Sequence, residues 1–295
     1  MLGEILTAIV TPFHANGRVN VEKFRALCRQ LVDDGSDGLV VAGSTGESAT
    51  LTDEEKVELW RAAVEEVGDR ATVIAGTGTY STSHSVHLTV EADRAGVDGF
   101  LVVTPYYVKP PLRGVVEHFR AISEASDKPI IVYNIPGRVV INLPPATIVE
   151  LAEEIPTVRA VKQANADLDQ ARRIVEESDV ELFAGDDNLV HPFLELGGVG
   201  GICVRSNIAG RQLKEMVTRY REGDAAAAKR IDLELTPLYE LDDVAVNPIP
   251  IKTAMNLLGY EVGGFRLPLV EATPAEQEAV KECLERAGLL TAAPA

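Results

Sequence analysis

Short apolar runs alternate with longer amphipathic stretches along this chain, and the apolar runs recur eight times. They lie at residues 5–10, 38–42, 72–75, 99–103, 130–133, 158–161, 181–184 and 201–204. Each is followed by a polar or glycine-bearing loop and then a helical pattern. Runs without polar alternation predict strands buried on both faces, and strands that alternate with helices predict a parallel sheet. Start and stop signals agree. Thr52 precedes Asp53-Glu54-Glu55 as a helix cap with an acidic first turn, and Pro144-Pro145 opens a helix over 146–154. Asp34-Gly35 and Ala95-Gly96 end helices on a glycine suited to left-handed backbone. Eight such units predict an α/β fold, a (β/α)8 TIM barrel rather than an open doubly wound sheet. A dinucleotide fold loses support because no Gly-x-Gly-x-x-Gly follows the first run, and Gly76-Thr77-Gly78 is too short to replace it.

After Gly223 the strand signal stops. Residues 225–241, 251–258 and 273–287 read as helices, with Asn247-Pro248-Ile249-Pro250 separating the first from the second. The predicted organisation is a barrel over 1–223 that carries the active site, then a C-terminal helical extension over 224–295.

Composition narrows the function. The chain has 295 residues, 46% of them hydrophobic, so a large core is available. A formal charge of −17 makes nucleic acid a poor partner, because phosphate binding needs a basic face. No apolar run approaches a membrane span, and Met1-Leu2-Gly3-Glu4 does not begin a signal sequence. Cys28, Cys203 and Cys283 are widely spaced and odd in number, which suits a reducing cytoplasm rather than a disulfide framework.

In a barrel of this kind the chemistry gathers at the C-terminal ends of the strands. Those ends carry Gly43-Ser44-Thr45-Gly46-Glu47, Thr104-Pro105-Tyr106-Tyr107, Tyr133-Asn134-Ile135-Pro136-Gly137-Arg138, Lys162, Gly185-Asp186-Asp187 and Arg205-Ser206-Asn207. Hydroxyls, Lys162 and Arg138 stand out. Lys162 ends an apolar run, and a lysine taken out of water more readily sheds its proton and attacks a carbonyl. Taken singly, these residues have plain structural readings. Tyr133 would be a core tyrosine, Ser44 and Thr45 a turn, Tyr106 and Tyr107 a packed aromatic pair, Arg138 a surface cation, and Lys162 a strand end with its head in solvent.

Their order changes the balance. Gly46-Glu47-Ser48-Ala49-Thr50-Leu51, Val103-Thr104-Pro105-Tyr106-Tyr107, Tyr133-Asn134-Ile135-Pro136 and Asn247-Pro248-Ile249-Pro250 follow one another, within a span from Ala8 to Pro268. In this the chain resembles the dihydrodipicolinate synthase and N-acetylneuraminate lyase family of pyruvate-dependent class I aldolases. The resemblance implies that Lys162 forms an imine with pyruvate and that Tyr133 shuttles protons at the imine carbon. It implies a hydroxyl relay through Ser44 and through Tyr107 donated by a neighbouring subunit. Thr45 and nearby backbone N–H groups would hold the pyruvate carboxylate, with the carbonyl of Ile202 close by. No metal or organic cofactor is expected beyond the covalent imine. A homo-oligomer follows, at least a dimer, with a tetramer as the family default.

Arg138 favours the synthase branch, where an arginine here grips the carboxylate of L-aspartate 4-semialdehyde in a bidentate geometry. The expected product is 4-hydroxy-tetrahydrodipicolinate, on the route to diaminopimelate and lysine. Two positions depart from that branch: Ser44 stands where threonine is usual, as in the lyases, and Gln163 where an acid is common. Aldol cleavage of a 2-keto-3-deoxy sugar acid or of N-acetylneuraminate is therefore the second reading. Ser48, Ala49 and Tyr106 match the branch's lysine feedback site, whereas Asp53, Lys56, Tyr80 and His84 replace its usual His, His, Asn and Glu. Weak feedback by lysine is expected. From another class, a metal-dependent barrel hydrolase would use His84 and His87 with Asp186 and Asp187, although solvated helix histidines and a strand-end cap explain these residues more simply. A binding barrel without catalysis is a third reading, one that would form no imine.

Overall fold

All eight apolar runs form strands in the computed structural model, which describes residues 2–291. They are β1 (Ile5–Ala8), β2 (Gly38–Val41), β3 (Thr72–Gly76), β4 (Gly99–Val103), β5 (Ile130–Asn134), β6 (Val158–Gln163), β7 (Glu181–Ala184) and β8 (Gly200–Cys203). Each pairs in parallel with the next, and β8 pairs with β1, closing the barrel. Helices α1 (Val21–Asp33), α2 (Asp53–Val67), α3 (Thr82–Ala95) and α4 (Leu112–Ser123) follow the first four strands. A four-residue helix α5 (Pro136–Val139) and then α6 (Pro145–Glu154) follow β5. Next come α7 (Leu168–Glu177), α8 (Val190–Glu195) and α9 (Ser206–Arg221).

Cap chemistry fixes several of these ends. Thr52 accepts from the N–H of Glu55 while the Glu55 carboxylate accepts from Thr52, a reciprocal capping box. Gly96 ends α3 with φ of 88°, backbone that a side chain would strain.

Strand parity sorts the core into two layers. Leu6, Val40, Ile74, Leu101, Ile131 and Phe183 fill the barrel interior. Their neighbours in sequence, such as Ile5, Val41, Val73, Val102 and Val132, meet the helices outside. Tyr133 and Ile202 belong to the inner layer. Above them the interior opens toward the C-terminal strand ends.

The chain then forms α10 (Ala225–Tyr239), the short α11 (Leu241–Val244), α12 (Ile249–Leu257) and α13 (Pro274–Arg286). Helix α10 packs along α9, and α12 packs on both α9 and α13. The stretch expected as one helix over 225–241 stops at Tyr239, and Asn247-Pro248 lies in the break before α12. No described helix is long and apolar enough to cross a membrane. Cys28, Cys203 and Cys283 are free and buried.

Candidate active site

Residues two apart on a strand share a face, so Lys162 points the same way as Ala160, which belongs to the inner layer. Tyr133 follows Ile131 inward by the same rule, and the sheet register sets Tyr133 directly beside Lys162. The Lys162 side chain is buried, with 4% of its surface exposed, and its Nζ lies 4.5 Å from the centroid of the Tyr133 ring. A lysine at the top of a strand thus ends among barrel walls rather than in solvent.

The loop after β2 brings the hydroxyls. Its turn is tight: Glu47 N–H donates to the Ser44 carbonyl at 3.1 Å, and Ser48 N–H to the Gly43 carbonyl at 3.2 Å. Gly46 is packed so closely that a Cβ there would stand 3.1 Å from the Ile9 carbonyl oxygen. Ser44 is exposed at the cavity mouth and Thr45 is buried. The Asn247 side-chain amide donates to Thr45 Oγ1 at 3.0 Å, and Arg138 donates to the Asn247 carbonyl at 2.9 Å. Pro136 and Gly137 open the short helix α5, which brings Arg138 to the lining of the barrel mouth.

A cavity of about 120 Å³ is lined by Ser44, Thr45, Tyr133, Arg138, Lys162 and Asp186, among others. That is far below the roughly 300–1,000 Å³ of a drug-sized pocket and suits a small acid. A second cavity of about 320 Å³ adjoins it, sharing Ser44, Arg138 and Asn247 and adding Tyr106, Val139 and Leu269.

Two expected site residues stand elsewhere. Tyr107 does not line the Lys162 cavity; its side chain is 89% exposed, on backbone with φ of 70°. Ile202 is buried in the barrel interior, two residues before Val204, which does line the cavity. Tyr106 stays beside the site and meets the Tyr80 ring edge-on at 5.5 Å.

The strand-7 aspartates divide their tasks. Asp186 makes no side-chain cap; it faces the cavity, where burial pushes its carboxyl up and the nearby Lys162 opposes that shift. Asp187 is fully enclosed and accepts from the N–H groups of Val204 and Arg205, joining the ends of β7 and β8. His84 and His87 are not simply solvated. His84 Nε2 lies 2.8 Å and His87 Nε2 3.9 Å from Asp53 Oδ2, so both turn to a carboxylate on α2 rather than to the strand-7 aspartates. Among the described residues no three His, Cys, Asp or Glu side chains converge as a metal-ligand set.

Gln163 finds its explanation one step along the strand from Lys162. It faces outward, where its carbonyl accepts from the Asn134 amide at 2.9 Å and its own amide donates to Asn165 at 3.0 Å. Asn142 Oδ1 accepts from Asn134, Asn165 and Gln170, which closes a network of neutral amides behind β5 and β6. An amide donates as well as accepts, so Gln163 can link the two asparagines where a carboxylate could only accept.

The sequence reading missed Asn247 and Asp186 as lining residues. Asn247 was legible only as a helix break, although a polar residue at such a break was a usable signal. Asp186 looked like a cap.

Comparison with known proteins settles the family. The Dihydrodipicolinate synthetase family matches residues 1–287. The chain belongs to that family. A 4-hydroxy-tetrahydrodipicolinate synthase of Desulforamulus reducens is 48% identical over 291 residues, covering 98% of each chain. A lysine-bound dihydrodipicolinate synthase of Cyanidioschyzon merolae superposes with a TM-score of 0.96 at 41% identity, covering 98% of this chain and 99% of that one. A chloride-inhibited dihydrodipicolinate synthase of Acinetobacter baumannii, complexed with pyruvate, gives a TM-score of 0.95 at 32% identity over 98% of this chain and 100% of that one. Both family structures share the closed barrel and its helical extension along almost their whole length.

Proposed function

We propose that the chain is a lyase, a 4-hydroxy-tetrahydrodipicolinate synthase, joining pyruvate to L-aspartate 4-semialdehyde through an imine on Lys162. The observation that carries this is the buried Lys162 amine beside Tyr133, in a small cavity that Arg138 also lines. The names of the full-length relatives support the same reading.

Lys162 attacks the ketone carbon of pyruvate, and the carbinolamine loses water to give a protonated imine. That imine draws electrons from the adjacent methyl, which loses a proton and becomes an enamine. The enamine carbon forms a bond to the aldehyde carbon of the second substrate, whose oxygen takes up a proton. The substrate's own amine then displaces Lys162 and closes the ring. Tyr133 moves the protons, a role supported by its position beside Lys162 in the sheet register. Ser44 supplies the relay hydroxyl, Thr45 and the backbone of its loop hold the pyruvate carboxylate, and Arg138 holds the carboxylate of the semialdehyde. The Ile202 carbonyl is assigned near the keto acid by the family resemblance alone, since Ile202 lies in the barrel interior below the cavity-lining Val204. The covalent imine is the only cofactor-like group this chemistry needs.

Tyr107 completes the relay from a second copy of the chain. Its outward position is compatible with donation and not with service to its own Lys162. The larger cavity beside the site, lined partly by Tyr106 and Arg138, offers room for that ring.

Incubation with pyruvate and borohydride, followed by intact mass, should add one reduced pyruvate per chain and none in Lys162→Ala. Turnover of aspartate semialdehyde should exceed release of pyruvate from 2-keto-3-deoxy sugar acids. No mass gain would remove the imine, and the reverse substrate order would move the enzyme to the sugar-acid branch.

A further inference from the structure

The loop that carries Ser44 and Thr45 is bounded by two non-glycine residues with positive φ, Ala42 at 55° and Glu47 at 57°. Backbone of this kind persists only where its surroundings hold it in place. At the Glu47 end the holder is a lysine 205 residues away in sequence. Lys252, on α12, is fully buried and donates to Glu47 Oε1 at 2.7 Å and to the Thr11 carbonyl at 3.1 Å, with the Gly264 carbonyl as its third acceptor. The rings of Phe13 and Phe265 lie 4.5 and 4.8 Å from the same nitrogen. The second Glu47 oxygen accepts from the N–H of Arg266 at 3.3 Å. Thr11 in turn donates its hydroxyl to the Gly46 carbonyl at 2.6 Å, so the loop is tied from both sides.

Neither Glu47 nor Lys252 lines the cavity that contains Lys162. A buried ion pair is also a weak source of stability, because desolvation offsets most of the attraction. What this pair does supply is geometry. It fixes the strained end of the loop to the helical extension.

We propose that Glu47 and Lys252 are positioning residues, whose ion pair sets the 43–47 loop so that Ser44 and Thr45 meet the keto acid. This rests on the imine reading above. The test uses the full chain with Glu47→Gln, and with Glu47→Gln/Lys252→Met, which leaves no unpaired charge buried if the single variant fails to fold. Borohydride capture is followed against pyruvate concentration, alongside amide hydrogen exchange. Half-saturating pyruvate should rise about tenfold, the scale of one weakened hydrogen bond to the bound carboxylate. Capture at saturation should still reach every chain, and amides 43–48 should exchange faster while strand amides keep their protection. A purely structural pair would lower the melting temperature and leave half-saturating pyruvate unchanged in the folded protein. That result, or unchanged loop exchange, overturns the proposal. Should the unaltered enzyme capture no pyruvate, the imine reading fails, and loop exchange alone decides the positioning role.

Discussion

Lys162 and Gln163 are adjacent, yet one serves a cavity and the other a network of amides behind the sheet. A strand assigns neighbouring residues to opposite faces, and here that rule separates chemistry from support. Arg138 illustrates how sharply a single side chain can be tested. Its guanidinium is fixed by the Asn247 carbonyl and stands over the mouth of the Lys162 cavity. Arg138→Ala should lower turnover of aspartate semialdehyde by about 10²-fold, the worth of a lost charge-assisted bidentate contact. Imine formation with pyruvate should change little, as separate capture and steady-state assays will show. Arg138→Lys should recover only part of the loss, because an ammonium cannot match the planar fork. At this scale the sequence spoke clearly where a residue type is rare in its setting. A lysine at the end of an apolar run and an arginine after Pro-Gly were visible. Asn247 and Asp186 were not, because their approach to the cavity depends on the extension folding back and on how the β7 loop turns.

Helices α3 and α4 contain a different kind of constraint. His118 is buried, shares Nδ1 with the Thr82 hydroxyl at 2.9 Å, and finds no hydrogen-bond partner for Nε2 among the described residues. Burial holds its pKa down at about 4, against 6.5 for the ordinary imidazole. Folding therefore favours the neutral ring. The stability this gives is full above pH 6.5 and is lost progressively as pH falls toward 4, because the unfolded chain takes up the proton first. The loss over that window should be about 3 kcal/mol. Denaturant titrations between pH 7 and pH 4 should show it, and His118→Leu should flatten the slope. Element boundaries were legible where caps or prolines marked them, as at Thr52 and Pro144-Pro145. Helices of four residues, α5 and α11, escaped notice because they are too short to show a period. The early end of β1 has a comparable cause. Ile9 and Val10 are as apolar as the strand before them, but they lie beyond its last paired residue.

Across the whole molecule, predictions about assembly and regulation turn on residues that a single chain leaves outside its own site. Tyr107→Phe and Lys162→Ala should each be nearly inactive alone. Co-expressed in equal amounts, they should recover about a quarter of wild-type activity, since half the dimers would be mixed and each would hold one complete site. No recovery would show that Tyr107 serves its own chain. Lysine, the end product of the expected route, should inhibit only weakly. Asp53 is already engaged: burial would push its carboxyl up, but the His84 hydrogen bond and the Lys56 charge outweigh that and hold it low. An effector's ammonium would meet Lys56 rather than a free acid, so an inhibition constant in the low-micromolar range in steady-state assays would contradict this. The barrel itself was written plainly in eight alternating runs. The seating of the extension was not, since its helices carry no mark of the partner they bury against.

That seating gives the last part of the chain a say over the first. During translation the β2 loop emerges early and waits, because Asn247, Lys252 and Arg266 leave the ribosome only near the end. A barrel released without its final quarter would carry Lys162 but leave the 43–47 loop untethered. Incomplete chains should therefore stay idle, and the enzyme would begin to work only once its synthesis is nearly finished.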